Sequence, residues 1–160
     1  MEKKRITVEE LLRRYAALEQ DFQRIILEYA DLSGVELQSI NLRGARFNYV
    51  NLSSINLRSC NLIGAQFYNC NLREVQIISC DLESTWFTDC DLGGANTSRC
   101  NLTLTHFIRV NLYSAKIDGF GEEYPWFCDV IREDGKFISG YTIDLYLFDR
   151  EEVDRDDIAF

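Results

Sequence analysis

Residues 45–69 read ARFNY VNLSS INLRS CNLIG AQFYN, five blocks of five with one shared pattern. The middle position of each block is large and apolar: Phe47, Leu52, Leu57, Leu62 and Phe67. Two residues earlier stands a small or medium one: Ala45, Val50, Ile55, Cys60 and Ala65. The residue between is mostly polar, and the position two after the large residue favours Ser, Gly or Asn. Outward from this stretch the pattern runs forward to Ile117, interrupted in its large series by Thr97, and backward through Leu32 and Leu27 to Phe22.

A period of five fits neither a 3.6-residue helix nor a 2-residue strand. It requires a backbone that turns a corner every five residues. Four such sides close a square coil, and alternation along each short extended side points the large residue and the small one before it inward. The position after them permits a tight turn. Phe47, Phe67, Phe87 and Phe107 recur at twenty-residue intervals. A four-sided coil puts them on one side, one rung above another, about 4.8 Å apart. A three-sided coil would scatter them. The spacing therefore predicts about five coils with a continuous column of stacked rings in the core.

Blocks such as Ala30-Asp-Leu-Ser-Gly34 and Ile40-Asn-Leu-Arg-Gly44 resemble the pentapeptide-repeat family, over roughly residues 20–118. That resemblance implies an all-β fold, a right-handed quadrilateral β-helix. The opening Thr7-Val-Glu-Glu-Leu-Leu-Arg-Arg-Tyr-Ala-Ala17 is also similar to the leader helix of cyanobacterial members. Some members of the family resemble DNA in size and charge and bind gyrase. Others regulate cyanobacterial cell differentiation. Family dimers often join through their C-terminal ends.

A solenoid exposes an apolar end at each terminus and needs caps. Thr7 followed by Glu10 is a capping-box pattern, and Val8, Leu11, Leu12, Tyr15 and Leu18 fall at helical spacing. Residues 1–19 are thus expected to form an N-terminal cap, with a helix over 7–19, and residues 20–118 the solenoid. The period fails after Ile117, and residues 119–160 are expected to cover the other end. Within them Glu133-Asp-Gly135 lies between two apolar runs and predicts a hairpin. Tyr141 to Phe148 is apolar and suits a strand or short helix, and a charged tail follows from Asp149.

The 160 residues, 46% of them hydrophobic, suffice for one domain with a core, and a single proline leaves no sign of a linker. No apolar run is long enough to span a membrane. The basic start Met1-Glu-Lys-Lys-Arg5 leads into an amphipathic stretch rather than an apolar one, so a cytoplasmic location is expected. The net charge of −9 is unevenly spread. Residues 1–29 carry six acidic and six basic side chains, residues 30–118 eight and seven, and residues 119–160 twelve and four. The solenoid surface is nearly neutral, which weighs against DNA mimicry and direct nucleic-acid binding. The −8 of the last segment opposes end-to-end stacking, so a monomer is expected.

Chemistry-bearing residues fall into the repeat. Cys60, Cys80 and Cys100 occupy one side and Cys70 and Cys90 the opposite one, all at inward small positions. A straight ladder of parallel side chains cannot converge tetrahedrally on a metal, and rung spacing suits disulfides poorly. Buried thiols are expected. His106, the only histidine, sits at the polar position before Phe107, facing solvent and without a partner for acid–base work. Gly93-Gly94 fills a turn position, and the acidic run Asp144–Asp157 lacks the pattern of a calcium loop. Sequons at Asn51, Asn96 and Asn101 arise from the repeat itself. Thr97 is expected as a core substitution whose hydroxyl bonds a neighbouring carbonyl. No catalytic, cofactor or metal site is expected.

What remains is surface. Beside the phenylalanine column the outward positions hold Tyr68, Trp86, His106 and Ile108. Exposed Trp and Tyr are typical interface anchors. Solenoids act through their long outer faces. The expectation is a non-enzymatic module that binds another protein through this patch.

Overall fold

A computed structural model describes residues 4–121 and 124–142. Its elements in chain order are β1 (Lys4–Arg5), α1 (Val8–Ala16), β2 (Ile25–Glu28), β3 (Glu36–Gln38), β4 (Arg46–Asn48), β5 (Asn56–Arg58), β6 (Gln66–Tyr68), β7 (Gln76–Ile78), β8 (Trp86–Thr88), β9 (Cys100–Asn101), β10 (His106–Ile108), β11 (Gly119–Phe120), β12 (Trp126–Ile131) and β13 (Phe137–Thr142). They build a four-sided β-solenoid. One side is an eight-stranded sheet in the order β1-β2-β4-β6-β8-β10-β12-β13. The opposite side is the sheet β3-β5-β7. The two remaining sides are held by bridges, Asp21-Asn41-Asn61-Asp81-Asn101 and Asp31-Asn51-Asn71-Asp91-Asn111-Ile131. Among the described residues no helix is long and apolar enough to cross a membrane.

The corners explain the period. Every fifth residue from Arg24 to Ser114 has φ between 50° and 70°, the left-handed region. A chain that visits this region once per five residues turns at each visit and runs extended between. Only four of these positions, Gly34, Gly44, Gly64 and Gly94, are glycine. The others hold side chains that bear the cost of roughly 1–2 kcal/mol for a left-handed L-residue. Packing of the core and the hydrogen bonds between rungs offset it.

Between corners, the expected alternation holds. Phe47, Phe67, Phe87 and Phe107 stack with centroids 4.8, 4.9 and 5.2 Å apart and planes within 10°. Phe127 extends the column at 5.0 Å. The large residues of the other sides are buried likewise, and about 10 Å³ is left open between the lowest coils, among Leu37, Phe47, Leu57 and Phe67. Inward thiols and hydroxyls satisfy themselves on backbone carbonyls 23 residues earlier. Thr85 Oγ1 donates to Leu62 O at 2.7 Å, and Cys70 Sγ to Phe47 O at 3.3 Å. This is why Cys and Thr are tolerated in an apolar column.

On the two bridged sides, Asn and Asp perform a second task. Each side-chain oxygen accepts the N–H two residues on, as Asn71 Oδ1 does from Arg73 N at 3.2 Å. The amides also link rungs, Asn71 Nδ2 donating to Asn51 Oδ1 at 3.1 Å. The polar position of the repeat thus closes its own turn and ties the coil below.

The N-terminal cap is shorter than the sequence suggests. Thr7 Oγ1 accepts Glu10 N at 3.1 Å, but α1 ends at Ala16. Leu18 lies beyond the helix, left-handed and 89% exposed, so it does not belong to the apolar stripe. Leu11 is fully buried over the first coil. The Tyr15 hydroxyl accepts Gln38 N at 2.8 Å and donates to Gln38 O at 3.2 Å, closing the open edge of β3. Arg14, paired with Glu10 and Glu19, lies 4.8 Å above the Phe22 ring. A strand absent from the expectation, β1, pairs with β2 and sinks Ile6 into the core.

The C-terminal end departs more. About five coils were expected, but the eight-stranded sheet holds six rungs from β2 to β12. Between them the coil slips: Gly119 pairs with Cys100, nineteen residues back, while Trp126 pairs with His106, again twenty. Thr97 sits where the slip begins. Its buried hydroxyl accepts Asp118 N at 3.3 Å, a backbone N–H rather than the carbonyl anticipated. The hairpin around Glu133-Asp-Gly135 is present, joining β12 to an antiparallel β13. The acidic run from Asp144 and the stretch to Phe148 lie outside the described residues.

Candidate functional site

The eight-stranded sheet presents two outward columns. One holds Arg46, Gln66, Trp86, His106 and Trp126. The other holds Asn48, Tyr68, Thr88, Ile108 and Cys128, the last covered by β13. In-register pairing brings all four expected residues onto one face of the sheet: Trp86 beside His106, with Ile108 and Tyr68 in the adjoining column. Tyr68 is one rung below, level with Gln66.

Inside and outside follow the same rule. Stacked strands align their side chains, so the aromatic rings outside pile up as the phenylalanines do inside. Trp86 and His106 lie 3.9 Å apart, planes 2° from parallel, and His106 and Trp126 lie 6.4 Å apart at 8°. His106 is half-buried rather than open to solvent, because the Trp86 indole covers one of its faces. Burial pushes the imidazole below its usual range, against a smaller opposing effect of the Leu104 backbone. Trp86 is 39% and Trp126 41% exposed.

Two contributors were not anticipated. Trp126 was missed because residues 118–125 break the five-residue pattern. Its signal was the dipeptide Trp126-Phe127, which repeats Trp86-Phe87 at twice twenty residues. The corner beside the second column adds Tyr29 and Tyr49, stacked at 5.1 Å, with Tyr49 edge-on to Tyr68 at 5.7 Å. A shallow depression of about 290 Å³ lies among Arg46, Gln66, Tyr68 and Trp86.

The cysteines are free and buried, all six of them. The adjacent Cys100 and Cys60 thiols, and then burial, hold the Cys80 thiol far above its ordinary range. Among the described residues no group of three His, Cys, Asp or Glu is placed to hold a metal ion. A charged pair stands at one corner, Arg109 gripping Asp89 at 2.6 and 2.7 Å.

The sequence model of the pentapeptide repeat region matches residues 20–97, and that of pentapeptide repeats in eight copies matches residues 87–120. No curated protein matches. Solved structures do. A pentapeptide repeat protein from the Arabidopsis thaliana thylakoid lumen is 14% identical, with 64% of this chain and 72% of that one covered and a TM-score of 0.44. HetL, a pentapeptide repeat protein involved in heterocyst differentiation regulation in the cyanobacterium Nostoc, is 17% identical, with 83% and 100% covered and a TM-score of 0.31. Rfr23 from the cyanobacterium Cyanothece is 26% identical, with 66% and 62% covered and a TM-score of 0.32.

Proposed function

Because the chain belongs to the pentapeptide-repeat family, we propose that it works without catalysis, as a module that binds another protein through the aromatic side of its solenoid. The observation that carries this reading is the concentration of Tyr68, Trp86 and Trp126, all part-exposed, on one flat sheet beside the Tyr29–Tyr49 corner. Large rigid aromatic groups bury much area at low entropic cost, which makes them anchors in protein interfaces. The sheet beneath is fixed by ladders on both sides and a close-packed core, so binding requires little ordering of the module itself.

A reading as a DNA mimic directed at gyrase has less support. Such a surface needs a dense line of carboxylates, whereas the ladder Asp21-Asn41-Asn61-Asp81-Asn101 carries only two among five positions. Regulation of cell differentiation is compatible with protein binding and is a matter of which partner is bound.

The test is affinity capture with the full chain and with a Trp86→Ala, Trp126→Ala variant, both checked for fold by circular dichroism. A partner retained by the native chain should be lost from the variant. Identical capture by both removes this face from consideration.

A further inference from the structure

We propose that the shallow depression beside Trp86 is a slot for one aromatic side chain of a partner protein, with an Asp or Glu next to it in the partner's sequence. The inference rests on the reading of this face as a protein-binding surface and names what the face recognises.

The first argument is which ring face is free. Rings stacked along the solenoid cover one another's faces and show their edges to solvent. Trp86 has His106 against one face, 3.9 Å between centroids. Its other face turns towards the rung below, where its register partner is Gln66 and not an aromatic residue. The next rung down carries Arg46, so a single rung separates the indole from a guanidinium. The inner column has no such gap: Phe47, Phe67 and Phe87 stack at 4.8 and 4.9 Å. A ring seated over Gln66 takes, outside, the level that Phe67 holds inside. It then stands about 4.8 Å from the Trp86 rung and from the Arg46 rung. Stacking on the indole and a guanidinium over the opposite face are both favourable for an aromatic ring.

The second argument is size and rigidity. The depression measures about 290 Å³. Small-molecule pockets run from roughly 300 to 1,000 Å³, so this one suits a single side chain better than a whole ligand. Its floor is fixed, with Arg46 Nε donating to Gln66 Oε1 at 2.7 Å. Tyr68 flanks it, held edge-on to Tyr49 at 5.7 Å. Admitting a ring requires little ordering of these groups.

The third argument is charge. On the flanking rungs, Glu28 is already shared by Arg5 and Asn48, and Asp89 is held by Arg109. Arg46 is exposed and bonded to Gln66, and among the described residues no carboxylate pairs with it. The slot therefore has one uncompensated positive charge, at the end away from Trp86. An extended chain rises about 3.3 Å per residue, so a carboxylate one or two positions from the ring spans the step of about 4.8 Å to the Arg46 rung. A nucleobase offers the same flat ring. One cation, however, is too few to hold a phosphate backbone against a chain of net charge −9.

The chain contains two tryptophans, and Trp126 lies two rungs above Trp86 beyond His106. Its indole N–H resonance is therefore an internal reference for that of Trp86, the two being assigned with a Trp126→Phe variant. The experiment titrates the full chain with the blocked peptide Gly-Phe-Asp-Gly, with its Leu and Asn counterparts at the second and third positions, and with oligothymidylate. The Phe-Asp peptide should move the Trp86 signal upfield and leave Trp126 in place. Affinity should fall roughly tenfold with Leu for Phe and roughly threefold with Asn for Asp. In an Arg46→Gln variant the preference for Asp over Asn should vanish while that for Phe over Leu persists. A Gln66→Phe variant, checked for fold by circular dichroism, fills the slot with its own ring and should abolish the response.

No movement of the Trp86 signal up to about 10 mM peptide, above the millimolar range of a contact this small, overturns the proposal. So do equal movement of both indoles, equal binding of the Phe and Leu peptides, and tighter binding of the oligonucleotide. Partner capture separates this idea from the reading it rests on. A partner lost from the Trp86→Ala, Trp126→Ala variant but retained by both Arg46→Gln and Gln66→Phe keeps the face and removes the slot. Identical capture by the native chain and the double-tryptophan variant removes the face as the partner's surface, while the peptide titration still decides the slot.

Discussion

The imidazole of His106 lies flat against the indole of Trp86, 3.9 Å between ring centroids and 2° between planes. The pairing is a consequence of the fold, since the two residues are register partners on neighbouring rungs. It also shields His106, and burial lowers its pKa below the usual 6.5. A histidine with a lowered folded-state pKa binds its proton more weakly than the unfolded chain does. Its neutral form is therefore the stable one, and stability falls as pH drops below about 6.5 towards the folded value. Because this is the sole histidine, its proton resonance needs no assignment by mutation. The native titration midpoint should lie below 6.5, and Trp86→Ala should move it upward. A native midpoint above 6.5 contradicts the shielding.

The phenylalanine column is the core's central element. Phe87 is fully buried between Phe67 and Phe107. Neighbouring rungs are tied by ladders and cannot collapse into a void. Phe87→Ala should therefore cost about 3–5 kcal/mol in urea unfolding, and Phe87→Leu clearly less. A loss under about 1 kcal/mol for the alanine variant contradicts a close-packed column.

The corners allow a test that touches no contact. Gly34 has φ +68°, and a Cβ added there meets nothing within 4 Å. Gly34→Ala should still destabilise by about 1 kcal/mol, for backbone reasons alone. Leu104 occupies the same kind of corner at φ 53°, so Leu104→Gly should be neutral or stabilising. If both substitutions lower stability equally, the left-handed corner is not what limits them.

These positions also show how far the sequence could be read. The five-residue period and Phe47–Phe107 spacing determine the square coil, because inward positions are selected for size at every turn. The corner position does not announce itself: Tyr29, Glu74 and Arg99 adopt the glycine-like conformation there, held by their neighbours. Trp126 was hidden because the coil slips by one residue at Gly119 and recovers unmarked by the repeat. Strand β1 has two residues and no pattern to find. Leu18 fits a helical stripe, but the helix stops before it. Local spacing records repeated environments well and single events poorly.

The thiols offer a measure of how tightly the coils close. Cys60, Cys70, Cys80, Cys90 and Cys100 are all buried, each donating to a backbone carbonyl. None can reach a reagent unless rungs separate. Ellman's reagent should find these five only after denaturation, at the rate of unfolding. Cys128 lies near the end of the stack under β13 and should react earlier, when the hairpin opens. Rapid reaction of several thiols in the native protein contradicts the packing described.

Gly119 tests the slip itself. A Cβ there would lie 2.5 Å from Cys100 O and 2.7 Å from the Leu102 side chain. The first neighbour is backbone in a rung fixed from below, so it cannot move aside cheaply. Gly119→Ala should therefore push the last coil off the fifth, weakening the His106–Trp126 and Phe107–Phe127 stacks while sparing the lower coils. The expected signature is uneven: amide exchange accelerates in β12 and β13, Trp126 emission shifts, and protection in β4 to β8 persists. Uniform loss of protection along the whole solenoid would mean that the sixth coil is not a separable unit but folds as one with the rest.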